Sequence, residues 1–251
     1  LWTAADLPNP ESVVAAPDGE SLFVSNVNGA PDARDGNGTI SRLSLDGAVI
    51  DPRWAAGLHA PKGMAVLDGR LFVSDIDALA EIDLADGRLV ARHPVEGAGF
   101  LNDVAVAPDG SVLVSDSARA RIHAWRDGRM SAWLEHEEWL GAVNGLLAEP
   151  SRLVVSTMRG RLLAVDWASK EISVLAEGLG DGDGIAALGD GRYLVSEWPG
   201  RLFAVAGDGT NAVVLDTRAE KRYLNDFLLL GDRLYMPNIE PGAVRAYRVR
   251  D

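Results

Sequence analysis

An all-β fold, built as a ring of six four-stranded blades, follows from three observations. One strand pattern recurs six times: Leu22–Asn26 (LFVSN), Leu71–Asp75 (LFVSD), Val112–Asp116 (VLVSD), Leu153–Thr157 (LVVST), Tyr193–Glu197 (YLVSE) and Leu234–Asn238 (LYMPN). The last residues are spaced by 49, 41, 41, 40 and 41, the period of a propeller blade. Asp-Gly turns recur at 18–19, 46–47, 68–69, 86–87, 109–110, 127–128, 190–191 and 208–209. They separate Val-, Leu- and Ile-rich runs too short for helices. Finally, the sixth repeat ends one strand short, while Leu1–Ala5 precedes the first repeat with no partner of its own.

Each repeat reads as strands A to D. In the third, A is Asn102–Ala107, B is Ser111–Asp116, C is Arg121–Arg126 and D is Arg129–Leu134. Asp-Gly at the hairpin tips supplies the positive φ that tight turns need. The first repeat is long because Val27–Gly38 is inserted between B and C. In that insert Asp32, Asp35 and Asn37 offer oxygen donors, but their spacing does not fit an EF-hand loop. It reads either as an ordinary turn-rich loop or as a lid over the central face. The sixth repeat has A (Asn225–Leu230), B (Arg233–Asn238) and C (Ala243–Val249). The N-terminal segment is expected to supply its missing outer strand, which closes the ring and removes its edges. Residues 1–251 thus read as one domain, since each blade needs its neighbours to bury its faces.

Composition narrows the function. The net charge of −13 repels phosphate backbones, so nucleic acid is not an expected partner. It is compatible with a cation ligand, or with solubility alone. Cysteine is absent, which excludes disulfides and thiolate chemistry. No apolar run reaches the length of a membrane span. The chain opens at Leu1, consistent with a removed export segment or a trimmed end. Periplasmic or secreted residence is the expectation, with the cytoplasm open, and a monomer is expected.

The A strands line the central channel. Their first residues are Glu11, Lys62, Asn102, Asn144, Asp183 and Asn225, followed by Ser12, Gly63, Asp103, Gly145, Gly184 and Asp226. Strand B runs antiparallel, so Asn26, Asp75, Asp116, Thr157, Glu197 and Asn238 are expected at the same face. Two carboxylates and two amides, Glu11, Asp183, Asn102 and Asn144, suit a hard divalent cation such as calcium, whereas zinc would prefer His or Cys. The alternative is that this polar ring merely satisfies strand ends at a channel mouth.

The blade starts PES (Pro10–Ser12), LND (Leu101–Asp103), NGL (Asn144–Leu146) and DGI (Asp183–Ile185) resemble those of the SMP-30/gluconolactonase/LRE-like family. These are six-bladed propellers related to paraoxonases and strictosidine synthase-like proteins. The resemblance covers essentially the whole chain. It implies a central cation, usually calcium, held by Glu11, Asn102, Asn144 and Asp183. It also implies hydrolysis of lactones or small esters, with the metal polarising the carbonyl and Asp183 as base. Lys62 stands where paraoxonase-like relatives carry a His. The arginine that gluconolactonases place just before the third-blade Asn is missing from Gly99–Asn102. Lys62, Asp103, Asn225, Asp226 and Trp198 are the candidate substrate-binding residues. Trp198 reads either as a wall of the site or as blade packing.

The other motifs are weak. Gly180–Gly184 lacks a following helix and a Walker lysine, Glu135–Trp139 lacks zinc-helix spacing, and no Gly-x-Ser-x-Gly elbow occurs. The expected function is therefore metal-dependent hydrolysis of a small-molecule lactone or ester. A non-catalytic propeller that binds a ligand or protein through the same face is the alternative. Strictosidine synthase-like chemistry has no feature of its own here.

Overall fold

In the computed structural model, which describes residues 1–250, the chain runs through twenty-four strands and one short 3-10 turn. A leading strand β1 (Trp2–Ala4) precedes blade one, which is β2 (Pro10–Ala15), β3 (Ser21–Asn26), β4 (Gly38–Ser44) and β5 (Val49–Leu58). Blade two is β6 (Pro61–Leu67), β7 (Arg70–Asp75), β8 (Ala78–Asp83) and β9 (Leu89–Pro94). Blade three is β10 (Leu101–Val106), β11 (Val112–Asp116), β12 (Arg121–Arg126) and β13 (Arg129–Glu135). Blade four is β14 (Val143–Ala148), β15 (Arg152–Thr157), β16 (Arg161–Asp166) and β17 (Ile172–Glu177). Blade five is β18 (Gly182–Gly189), β19 (Arg192–Glu197), β20 (Arg201–Val205) and β21 (Asn211–Asp216). Blade six holds β22 (Leu228–Leu230), β23 (Arg233–Asn238) and β24 (Ala243–Arg248).

The architecture is the expected six-bladed β-propeller. Every sheet has four strands, and the sixth has the order β1-β24-β23-β22. The leading strand closes the ring by pairing antiparallel with β24, Trp2 opposite Ala246 and Ala4 opposite Val244. The Trp2 indole bridges to blade one by donating to the Leu45 carbonyl (3.0 Å) and packing on Tyr235 of blade six.

Hairpins form where turn chemistry permits. Asp127 and Gly128, with φ of 50° and 77°, supply the two left-handed residues of a primed turn between β12 and β13. The middle strands carry the buried Val, Leu and Ile that pack blade against blade, as Leu113, Ile122, Val155 and Leu163 do between blades three and four. The outer strands are largely exposed or half-buried, β17 and β21 with no more than one buried residue between them. Among the described residues no helix is long and apolar enough to cross a membrane.

Blade six departs from the expected bounds. Its inner strand begins at Leu228 rather than Asn225, and Pro237 stands where the other B strands carry serine.

Candidate functional site

A β-bulge opens each of the first five blades. Pro10 faces Asn26, yet Val13 faces Val24. The same one-residue slip separates Pro61/Asp75 from Met64/Val73, Leu101/Asp116 from Val104/Val114, Val143/Thr157 from Leu146/Val155, and Gly182/Glu197 from Ile185/Val195. Two inner-strand residues therefore oppose one on strand B, an arrangement that re-aims side chains. The bulged pairs are Glu11-Ser12, Lys62-Gly63, Asn102-Asp103, Asn144-Gly145 and Asp183-Gly184. The single residue opposite is always serine: Ser25, Ser74, Ser115, Ser156 and Ser196.

These buried hydroxyls pin the bulges. Ser25 accepts from the Ser12 amide (3.0 Å), Ser115 from Asp103 (2.9 Å) and Ser156 from Gly145 (2.9 Å). Ser74, Ser156 and Ser196 donate to the carbonyls of Asn102, Asp183 and Asn225 in the next blade. In blade six Pro237 offers no hydroxyl. Asn225 stays in a loop, where its Oδ1 accepts from the Ile239 amide (3.3 Å).

The five bulges, together with the blade-six loop that carries Asn225, place all six first-position side chains around one cavity of about 470 Å³ at the channel mouth, lined by Glu11, Lys62, Asn102, Asn144, Asp183 and Asn225. Each is buried, none more than 7 % exposed. Trp198 lines the same cavity.

Asp103 and Asp226, expected to contact substrate, are outside that lining and one residue further along the channel. Asp103 accepts from the Val104 amide (2.7 Å) and the Leu146 amide (2.6 Å). Asp226 accepts from the Ser12 hydroxyl and the Phe227 amide. Glycines make room for them: a Cβ at Gly63 would strike the Asp103 carboxylate, and one at Gly184 would come within 2.6 Å of Asp226 Oδ1.

The strand-B ends lie at the same end of the blades as the inner-strand starts, as expected, each paired with the residue just before that start in blades one to five, but none lines the cavity. Strand alternation turns them toward the connectors between strands. Asp75 accepts from the His59 and Ala60 amides and pairs with Arg92. Asp116 accepts from the Gly99 and Phe100 amides (both 2.9 Å). Asn26 donates to Ser41 (2.8 Å), Asn238 donates to the Tyr223 carbonyl (2.9 Å), and Glu197 pairs with Arg201.

Electrostatically the channel mouth is overloaded with acid. Burial, then the charges of Asp183 and Asp226, push the Glu11 carboxyl well above its usual range, and Lys62 opposes this. Burial and Asp226 push Asp183 well up against a hydrogen bond from Asn144. Asp103 is raised by burial and Asp226. Burial alone lifts Asp226 to about 6, against the bonds from Ser12 and Phe227. Burial and mutual repulsion disfavour ionising these four carboxyls together, and a bound cation would offset both.

The donor set fits such a cation. Glu11 Oε2 and Asn144 Oδ1 are buried and take no hydrogen bond, a costly state unless something else satisfies them. Asn102 donates Nδ2 to Ser117 (3.3 Å), leaving its carbonyl oxygen for the cavity. All the donors are oxygens, as a hard cation requires. Among the described residues no group of three or more His, Cys, Asp and Glu is spaced to hold a metal. A cation here would depend on the two amides as much as on the two carboxylates.

Lys62 is already engaged. Its Nζ donates to the Pro31 carbonyl (2.9 Å) and the Ala60 carbonyl (3.2 Å), and lies 4.3 Å from the centroid of the Phe100 ring. Burial lowers its pKa, and Glu11 opposes the fall. Two of its three protons are thus committed, one of them to the blade-one insert. That insert reaches the cavity through Val27, Gly29 and Pro31. It is fixed by the Arg34–Asp77 pair (2.8 Å) and by the Gly36 amide donating to His59 Nδ1 (3.1 Å). Asp35 caps Asn37 through its amide and side chain, so it behaves as a turn residue.

A second ring, of which the sequence reading singled out only Trp198, lies just past the strand-B ends. The residue one past each strand-B end is Val27, Ile76, Ser117, Met158, Trp198 or Ile239. Alternation points it opposite to its predecessor, and four of the six line the cavity. Together they form an apolar collar above the polar floor. The signal was present: five of these six positions are apolar directly after a polar strand end.

No family model matches the sequence, and no curated protein matches it. Solved structures match over nearly the whole chain. Selenomethionine virginiamycin B lyase from Staphylococcus aureus aligns with TM-score 0.69 at 12% identity, covering 99% of each chain. A catalytically inactive His-to-Ala variant of that lyase with quinupristin gives 0.67 at 11%, again covering 99% of each. A streptogramin B lyase gives 0.68 at 12%, covering 98% of this chain and 96% of that one. At these identities the likeness establishes the six-bladed fold.

Proposed function

We propose that this propeller is a divalent-cation-dependent hydrolase of lactones or small esters. The observation that carries the reading is the pair of unpartnered buried oxygens, Glu11 Oε2 and Asn144 Oδ1, in a cavity also lined by Asn102 and Asp183. The SMP-30/gluconolactonase-like blade starts support the same four residues.

Glu11, Asn102, Asn144 and Asp183 would hold the cation, with calcium favoured by the all-oxygen set. A bound divalent cation supplies Lewis acidity toward a carbonyl oxygen. The side chains do the rest. Asp183, oriented by the Asn144 amide, accepts a proton from the attacking water as the water oxygen bonds to the acyl carbon. It returns that proton to the leaving alkoxide as the acyl C–O bond breaks. Lys62 offsets the negative charge of Glu11 and leaves one N–H donor uncommitted. The insert loop covers the cavity on the side of blades one and two, where Val27 and Ile76 are buried.

The matched structures are lyases, and in one of them a His-to-Ala change abolishes catalysis. No histidine lines the cavity of this chain, which favours hydrolysis by the carboxylate over a histidine-dependent elimination.

The test is a lactone and ester panel in isotopically labelled water, with calcium and with chelator. The expected result is chelator-sensitive turnover with label in the product carboxylate, and a kcat for Asp183→Asn lower by about 10²–10⁴-fold. Unlabelled, unsaturated product would establish elimination instead. Tight ligand binding without turnover would make the protein a binder.

A further inference from the structure

We propose that the cavity selects uncharged substrates carrying a flat aryl substituent, which packs on Trp198. This deepens, and rests on, the hydrolase reading.

The collar is uneven around the ring. On the side of blades one and two its members are covered: Val27 and Ile76 are 1 % and 5 % exposed, and the insert lies beside them. On the side of blades four to six it is open, with Met158 and Trp198 at 38 % and 41 % and Ile239 completing the wall. Of seven tryptophans in the chain, only Trp198 is exposed. Its ring stacks on Tyr223 with centroids 4.8 Å apart and planes 14° from parallel, and both rings line the cavity. An exposed tryptophan held flat by a second aromatic ring is a preorganised stacking surface. Little side-chain freedom remains to be lost when a ligand covers it.

Floor and collar together define the ligand's shape. Its carbonyl belongs over Glu11, Asn102, Asn144 and Asp183, while its substituent leaves toward blades four to six across Met158, Trp198 and Ile239. That wall offers apolar surface to a substituent, so a polyhydroxylated ring would bury hydroxyls there without partners, at a cost. Anions are disfavoured too. Glu11, Asp183 and Glu240 line the cavity, and the Lys62 ammonium already gives two of its three donors to carbonyls and lies against the Phe100 ring.

The experiment separates this proposal from catalysis by using lactams, which keep the carbonyl and ring but resist hydrolysis. Calorimetric titration would compare γ-phenyl-, γ-methyl- and polyhydroxylated lactams in the presence of calcium. The phenyl compound is expected to bind about tenfold or more tightly than the methyl compound, with the hydroxylated one weakest. Trp198→Ala should cut the phenyl-to-methyl ratio about tenfold, and Trp198→Phe should keep it within about threefold. Equal affinity for the three ligands, no binding of any, or a ratio that survives Trp198→Ala would overturn the proposal. Selective phenyl binding by a protein that hydrolyses neither lactones nor esters would uphold the aryl site and sink the hydrolase reading alone.

Discussion

Asp226 shows how one residue couples the floor to stability. It stands just past the ring residue Asn225, held by the Ser12 hydroxyl and the Phe227 amide, and burial lifts its pKa to about 6. An acid whose folded pKa is raised binds a proton in the folded state that the unfolded chain has already released. Stability of the cation-free protein therefore falls as pH rises from about 4 through about 6. Asp226→Asn keeps an acceptor for the Phe227 amide and removes the charge. In chelator it should be more stable than wild type by about 1–3 kcal/mol near pH 8, with the gain vanishing near pH 4. Denaturant midpoints at the two pH values check this; a gain independent of pH would mean that charge burial is not its cause. At this scale much of the site was legible. The blade-start register alone picked out the six side chains that meet at the cavity. It did not reveal that Asp103, Asp226 and the strand-B ends lie outside the cavity lining, because sequence spacing locates a residue along a strand but not which backbone amides claim its oxygens.

At the scale of the strand pair, the device that builds the site is the serine-pinned bulge. The serine was visible in every VS repeat, yet its purpose was not. Period-two alternation assumes an unbroken ladder, and a bulge adds a residue that changes the face on which everything before it points. Ser156 is the clearest case, since it accepts from the Gly145 amide and donates to the Asp183 carbonyl. Ser156→Ala leaves both groups buried without that partner. The expected cost is about 1–3 kcal/mol of stability, together with weaker calcium binding than wild type, because Asp183 and Asn144 flank the lost bonds. Denaturant titration and calcium calorimetry measure the two effects. Wild-type values in both would make the hydroxyl incidental. Blade six shows the converse: proline replaces the serine, and Asn225 is left in a loop.

Across the whole molecule, the six-blade count, the four-strand sheets and closure by the N-terminal strand were all readable. Repetition averages out local ambiguity, and an unpaired strand at one end of the chain has one vacancy to fill. Removing Leu1–Leu7 should therefore do more than trim an end. It deletes Trp2, Ala4 and Leu7 from one buried cluster and exposes the edge of β24. A single cooperative transition lowered by roughly 10 °C or more is expected by calorimetry, and an unchanged midpoint would show the ring to be closed by other contacts. That closure also makes the starting point of the ring arbitrary. Blade six is assembled from the two extremes of the polypeptide, so the order of blades in sequence is a property of the chain and not of the circle it forms. A cut at the Asp127-Gly128 hairpin, with the present extremes joined, would describe the same circle, its floor and collar unchanged and a different blade made composite.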